Sequence, residues 1–368
     1  MPVREIDRID DLDALRGEWR ELLSQTPRAG FFQSLEWLEA YWRHFGAGQR
    51  LRVLVVEAAG EITGIVPLVV RRERTAIGSL RFLTYPLDYW GSFYGPIGPD
   101  PAATLRAAVQ ELKETGFDAD IFEPRWVHED DREETALLLD NEGLGPQASP
   151  LDASAVIDLS GTWSDYLASR NSKWRNNYRR ARRQLEELGT AEYVRYRPQS
   201  GADPRWDLFD ECLHLALISW QGASTTGTTL THADVAPFLR DAHDAATRCG
   251  NVDINLLRVN GRAVSYAYNY VQHGRVFGLR SGYDPTLRGI GVGKLLYTMA
   301  VEDSFRRGDT LYDLGPGYLD CKRSMLTNVV PIHRITCGTS WSLRQRLLRL
   351  KRQWDGRRKA AEEAGSRT

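Results

Sequence analysis

Residues 275–294, RVFGLRSGYDPTLRGIGVGK, carry a β-rich run through a short loop into a helix. The run RVFGLRSGYD reads as a strand, and PTLRGIGVGKLLYTMAVEDSFRRG reads as a loop followed by a helix. The turn between them is Arg288-Gly289-Ile290-Gly291-Val292-Gly293-Lys294. Small residues before a helix let free backbone N–H groups converge on one spot, and the helix dipole adds partial positive charge there. A pyrophosphate fits such a spot, and glycines let it come close to the backbone. A P-loop is excluded because Gly289 to Lys294 has the wrong spacing and Leu295 replaces the hydroxyl residue. A dinucleotide fingerprint is excluded because Gly291-Val292-Gly293 lacks its third glycine. The bland alternative is a glycine-rich capping turn with no ligand.

The segments around this turn have a recurring order. RWDLFDECLHLALISWQG and ADVAPFLRDAHDAATRCG are helical, VDINLLRVNGRAVSYAYNYV is a hairpin turned at Asn260-Gly261, and TLYDL is the strand after the glycine-rich helix. The first half repeats this order. Asp10-Asp11 can cap a helix bearing Leu12, Leu15, Trp19, Leu22 and Leu23. A second helix runs from Ser34 to a stop at Gly46. LRVLVVEAAGEITGIVPLVV is a hairpin, LRFLT a strand, DPAATLRAAVQELKETG a helix and DADIF a strand. The shared order predicts a mixed α+β (α/β) chain of two tandem modules, each a mixed, mostly antiparallel sheet flanked by helices. The boundaries expected are 1–150 and 151–340, with a connecting stretch over 125–165 and a basic helical tail over 341–368 whose end is disordered. The first-half counterpart of the glycine turn, DPAATLRAAVQEL, has no glycine, so that module has no obvious phosphate site.

A chain of 368 residues favours two domains, and 42% hydrophobic with 26% charged residues is ordinary for a globular protein. The net charge of −1 gives no global pull towards DNA or an anionic membrane. Cys212, Cys249, Cys321 and Cys337 show no CxxC spacing, which argues against a disulfide framework or a zinc site; no metal is expected. The charged N-terminus lacks a signal-peptide stretch, and no apolar run approaches the roughly 18 residues of a membrane span. A cytoplasmic protein is expected.

With Arg288, Gly291 and Gly293 in the pattern R-x-x-G-x-G, the turn resembles the acyl-CoA pyrophosphate loop of the GNAT superfamily. FFQSLEWLEAYWRHFG, SKWRNNYRRARRQLEELG and LRVNGRAVSYAYNYVQHGRVFGLRSGYDP further resemble one GNAT branch. This is the Fem-like and cellulose-biosynthesis-type (CelD-like) acetyltransferases, with tandem GNAT-like halves. The resemblance covers most of residues 30–325. It implies transfer of an acyl group, acetyl first, from acyl-CoA to an amine of a small molecule or amino sugar, by direct attack. In the Fem branch it implies an aminoacyl-tRNA donor instead. A non-catalytic binding protein on the same scaffold is the third reading. The family often carries a Tyr-Lys pair after the strand matching TLYDL. Here Tyr318-Leu319-Asp320-Cys321-Lys322 puts cysteine in the tyrosine's place.

Acyl transfer to an amine needs a neutral nucleophile, a stabilised oxyanion and a protonated leaving thiolate. The candidates that follow are Leu279 and Ser281, whose strand backbone faces the thioester. Arg288, Gly289, Gly291, Val292, Gly293 and Lys294 form the phosphate loop. Asp313 or Asp284 takes the amine proton, and Tyr318 protonates the sulfur. A separate basic helix, NSKWRNNYRRARRQLEELG, sets Trp174, Tyr178, Ala181, Leu185 and Leu188 on one face. Its other faces carry Lys173, Arg175, Arg179, Arg180, Arg182 and Arg183, either a solvated surface or an anion site for an acceptor phosphate, the CoA 3′-phosphate or tRNA. The intact loop disfavours tRNA.

Overall fold

In the computed structural model the residues described are all of 1–368 except 89, 223, 225–228, 339–350 and 353–368. The tail expected over 341–368 therefore lies outside the described residues, apart from Lys351 and Arg352. The chain forms two compact units, one of residues 1–88, 93–153 and 330–368, the other of 89–92 and 154–329.

Unit 1 opens with β1 (Val3–Ile6), α1 (Arg16–Gln25) and α2 (Leu35–Phe45). Asp10 and Asp11 do not cap α1. They sit in a 3-10 turn, Ile9–Leu15, and α1 starts after it with no side-chain cap. Ser34 does cap α2, accepting from the Trp37 amide at 3.1 Å, and the helix stops at Gly46. The hairpin is β2 (Arg50–Ala58) and β3 (Glu61–Thr75), followed by β4 (Gly78–Thr84), α3 (Pro101–Thr115) and β5 (Ile121–Phe122). β4 and β5 run parallel across the α3 crossover. Asp100 caps α3 with its own carboxylate, accepting from Ala103 at 2.9 Å, and Pro101 takes the first turn.

The stretch read as a connector is instead structured: β6 (Val127–His128), α4 (Glu129–Asn141) and β7 (Gln147–Asp158). The acidic run that looked like a linker is the first turn of α4. Glu129, Asp130 and Asp131 sit there, where the helix dipole favours negative charge.

Unit 2 continues with α5 (Trp163–Ser169), α6 (Ser172–Glu187), β8 (Ala191–Tyr196), α7 (Trp206–Ile218), α8 (Ala236–Cys249), β9 (Val252–Val259), β10 (Arg262–Gln272), β11 (Arg275–Tyr283), α9 (Val292–Arg307), β12 (Leu311–Pro316) and the short α10 (Leu319–Lys322). Its strand order is β7-β12-β11-β10-β9-β8. Asn260 and Gly261, both at positive φ, turn the β9–β10 hairpin. The last strand, β13 (Asn328–Gly338), pairs with β5 and β6 and thus completes the sheet of unit 1. Each unit repeats helix, helix, hairpin, strand, helix, strand, with a parallel pair across the crossover helix.

Candidate functional site

The basic helix and the glycine turn meet. Trp174, Ala181 and Leu185 of α6 are buried, and Ala181 and Leu185 join a core with Val292, Leu295 and Leu296 of α9. Leu188 stays exposed, beyond the end of α6. Asn171 caps α6, accepting from Trp174 at 2.8 Å. Packing the apolar face of α6 onto α9 brings its neighbouring face over the turn. A cavity of about 360 Å³ lies between them. Lys173, Asn177 and Arg180 line it from α6, with Arg288, Gly289, Gly291 and Lys294 from the turn. Four cations face it, and among the described residues no carboxylate does.

Gly291 is the N-cap of α9, at φ +82°, and no side chain caps the helix. Leu295 is the first residue to return a hydrogen bond, to Gly291 at 3.1 Å, so the amides of Val292, Gly293 and Lys294 have no acceptor within the helix. A Cβ on Gly289 or Gly291 would meet no atom within 4 Å. Gly293 differs: its Cβ would stand 3.1 Å from the Tyr283 ring, so this glycine serves the packing of α9 on β11. Val292 is fully buried in the same core and does not line the cavity.

The remaining cations of α6 divide. Arg175 donates to the carbonyls of Ala168 and Arg170, and Arg179 to Asn176 at 3.3 Å. Neither they nor Arg183 line the cavity. The sequence held the signal that separates them. Positions 173, 177 and 180 recur at i, i+4 and i+7 beside the apolar stripe. Asn171, Asn177, Thr298 and Ser324 also line the cavity and were not anticipated.

On the sheet, β11 and β12 pair only at Arg275–Leu311, Val276–Tyr312 and Phe277–Asp313, though both strands run on. Gly278 and Gly315 face each other where they part. A Cβ on Gly278 would lie 2.8 Å from the Asp313 carbonyl, and one on Gly315 2.7 Å from the Gly278 carbonyl. Leu279 falls at a bulge against β10, between the pairs Asn269–Gly278 and Tyr268–Arg280. Its backbone is re-aimed beside the parting. The Ser281 carbonyl accepts from Gln221 at 2.9 Å. The Arg280 guanidinium stands 4.3 Å from the Trp90 ring, and burial pushes it down to about 10.

Asp313 is fully buried at the last paired position. It accepts from the Ser154 hydroxyl and from the Gly315 amide at 2.8 Å, while its Oδ2 has no partner among the described residues. Burial raises its carboxyl above the ordinary range. Asp284 is differently placed. It caps the turn at Pro285–Leu287, accepting from the Thr286 hydroxyl and amide, and those hydrogen bonds hold it below the ordinary carboxylate range. Tyr318 is 78% exposed at φ +49°, 6.2 Å from the Trp220 ring. Lys322 fixes the segment before it, donating to the carbonyls of Gly315, Pro316 and Gly317 at 2.7, 3.3 and 2.8 Å.

Residues 172–323 match the family model of the acetyltransferase (GNAT) domain. The unit that holds this cavity is a GNAT acyltransferase domain. No curated protein sequence matches the chain. Solved structures match most of its length. The crystal structure of FemX aligns at a TM-score of 0.61 and 13% identity, over 96% of this chain and 100% of that one. A conserved protein of unknown function from Bacteroides thetaiotaomicron gives 0.53 and 15%, over 92% and 99%. The C-terminal DUF2156 domain of a protein assigned as a lysylphosphatidylglycerol synthetase from Agrobacterium fabrum gives 0.54 and 11%, over 91% and 94%. At such identities the likeness speaks to the fold, which is that of a Fem-like tandem GNAT. Among the described residues no helix is long and apolar enough to cross a membrane.

Proposed function

We propose that the GNAT domain moves an acyl group, acetyl in the simplest case, from acyl-CoA to the amine of a small molecule or amino sugar by direct attack. One observation carries this reading: Lys173, Arg180, Arg288 and Lys294 converge on a single cavity at an uncapped helix N-terminus. The open space beside Gly291 is where a phosphate can approach the backbone. The residues therefore suit the polyphosphate end of CoA, whose thioester supplies the activated acyl group.

The chain's own residues supply the rest. The cations and free amides hold the anion. The bulged backbone at Leu279, beside the parting of β11 and β12, offers a hydrogen bond to a developing oxyanion. Asp313 is the proton acceptor in this reading, because burial raises its proton affinity and Oδ2 is unused. Tyr318, next to the parting strand end, is the proton donor to the leaving sulfur. Asp284, committed to capping, takes no part. The use of acyl-CoA fits a cytoplasmic protein.

The test is calorimetric titration with acetyl-CoA. Gly291→Asp sets a carboxylate in the open space, at a left-handed position that aspartate tolerates. Its affinity should fall on the order of 100-fold from like-charge repulsion, with the circular dichroism spectrum unchanged. Equal affinity in the variant would remove the loop from the reading. Binding without turnover across an amine panel would favour the non-catalytic alternative. The aminoacyl-tRNA alternative has its own support in Arg179 and Arg183, exposed on α6 outside the cavity.

A further inference from the structure

We propose that unit 1 holds a second ligand site, a cavity at the N-terminal end of α3 that binds a small primary amine in its ammonium form. The site stands apart from the acyl-CoA reading and does not depend on it. The cavity measures about 380 Å³, within the range of small-molecule pockets. Its walls include Arg28, Tyr85, Phe93, Tyr94, Asp131 and Glu134.

Three observations select the ligand. The first is an unused hydroxyl. Tyr94 is 4% exposed, lines the cavity, and its OH has no hydrogen-bond partner among the described residues. A buried polar group of this kind is normally satisfied, and the Arg28 Nε of the same lining is unpartnered too among the described residues, so the cavity is short of partners for one hydroxyl and one N–H. An ammonium supplies three donors, and a phenol oxygen accepts.

The second is charge. Arg28 lines the cavity against Asp100, Asp131 and Glu134. Arg28 is already shared, hydrogen-bonded to Asp131 and 3.9 Å from Asp130. Burial raises the Asp131 carboxyl above its ordinary range against the lowering pull of Arg28, with smaller raising from Asp130 and Glu134, and the lining sets three carboxylates against one guanidinium. The positive ends of α3 and α4 also point towards this region, which by itself would suit an anion. They are already answered: Asp100 caps α3 with its own carboxylate, and Glu129, Asp130 and Asp131 occupy the first turn of α4. The uncompensated charge is negative.

The third is the wall itself. The rings of Tyr85 and Tyr94 lie 5.1 Å apart and that of Phe93 packs 4.5 Å from His128. Aromatic surface accepts both an alkyl stem and, at a ring face, a cation. A ligand with an ammonium head and an apolar stem of a few carbons meets all three conditions. A phosphate or carboxylate meets only Arg28.

The experiment is calorimetric titration of the full chain with 1-aminopentane, 1-pentanol and pentanoate at pH 7.5. Saturable binding of the amine is expected with a Kd of about 1 mM or tighter, with no measurable binding of the alcohol or the acid. Tyr94→Phe removes only the hydroxyl and should weaken the amine about fivefold, the size of one hydrogen bond. Glu134→Gln, on the exposed side of α4, poses no folding risk and should weaken it about two- to fivefold at low salt. Equal binding of alcohol and amine would reduce the site to an apolar cavity and overturn the proposal. So would preference for pentanoate, an absence of amine binding, or amine binding untouched by both substitutions.

Discussion

A side chain at Gly291 has open space, whereas one at Gly293 presses on the Tyr283 ring at 3.1 Å. Glycine meets both needs, so the sequence motif could not say which of the two faces a ligand. The same ambiguity runs through α6, where charge alone places six cations in one group. Only Lys173 and Arg180 reach the cavity, because they lie beside the buried stripe of Trp174, Ala181 and Leu185. Lys173→Gln and Arg180→Gln should each weaken acetyl-CoA about fivefold, the value of roughly 1 kcal/mol for a charge–phosphate contact. Arg179→Gln and Arg183→Gln should leave the affinity within about twofold, as isolated exposed charges do. Titrating the four variants in one buffer separates the two pairs. Reversal of the order would detach the cavity from the acyl-CoA site.

Among the elements, α8 carries the clearest pH dependence. His243 on its buried face stacks on Phe209 at 4.6 Å. Its Nε2 lies 2.7 Å from the Pro204 carbonyl, which makes Nε2 the donor, and its Nδ1 then accepts from the Tyr268 hydroxyl. Burial lowers this imidazole from 6.5 to about 4. The unfolded chain thus takes up the proton first on acidification. The neutral ring contributes fully above pH 6.5, and its contribution is lost as pH falls towards about 4. The shift corresponds to about 3 kcal/mol of stability. His243→Gln should be less stable at pH 7.5 yet lose correspondingly less between pH 7 and pH 4 in urea melts; parallel curves for the two chains would contradict this. Most elements were legible from periodicity and end signals, as with Ser34 and Gly46 around α2. The acidic start of α4 was not, because the same residues mark a solvated linker or a helix N-terminus. The bulge at Leu279 and the parting of β11 from β12 were also hidden. The parting depends on close approach between Gly278 and Gly315, more than 30 residues apart, and the bulge on a one-residue slip against β10 that no local signal marks.

For the molecule as a whole, the repeated element order was readable in the sequence, and the fold carries it twice. The assignment of segments was not: 90–92 belongs with unit 2 and 330–338 with unit 1, and nothing local to either stretch announces which unit it joins. The choice of donor also belongs at this scale. The net charge of −1 offers no long-range attraction for RNA, and Lys173, Arg180, Arg288 and Lys294, the cations of the proposed donor site, line one cavity. Transfer of labelled acetyl groups from acetyl-CoA to an amine panel should survive RNase. Donor affinity should change less than about tenfold between 50 and 200 mM salt, since only a few charges are neutralised. A steeper loss, with transfer from charged tRNA alone, would put the aminoacyl-tRNA reading in its place.

The parting of β11 and β12 leaves two strand edges inside a sheet, and an unpaired edge ordinarily invites any extended chain to join it. On the β12 side the invitation is withdrawn. Pro316 has no N–H to give, and Lys322 already holds the carbonyls of Gly315, Pro316 and Gly317. An intruding polypeptide would find donors and acceptors on one flank only, so its ladder could not close. The opening is thereby guarded against aggregation by chemistry rather than by a covering element, and it stays accessible to a slender guest that needs the β11 edge alone.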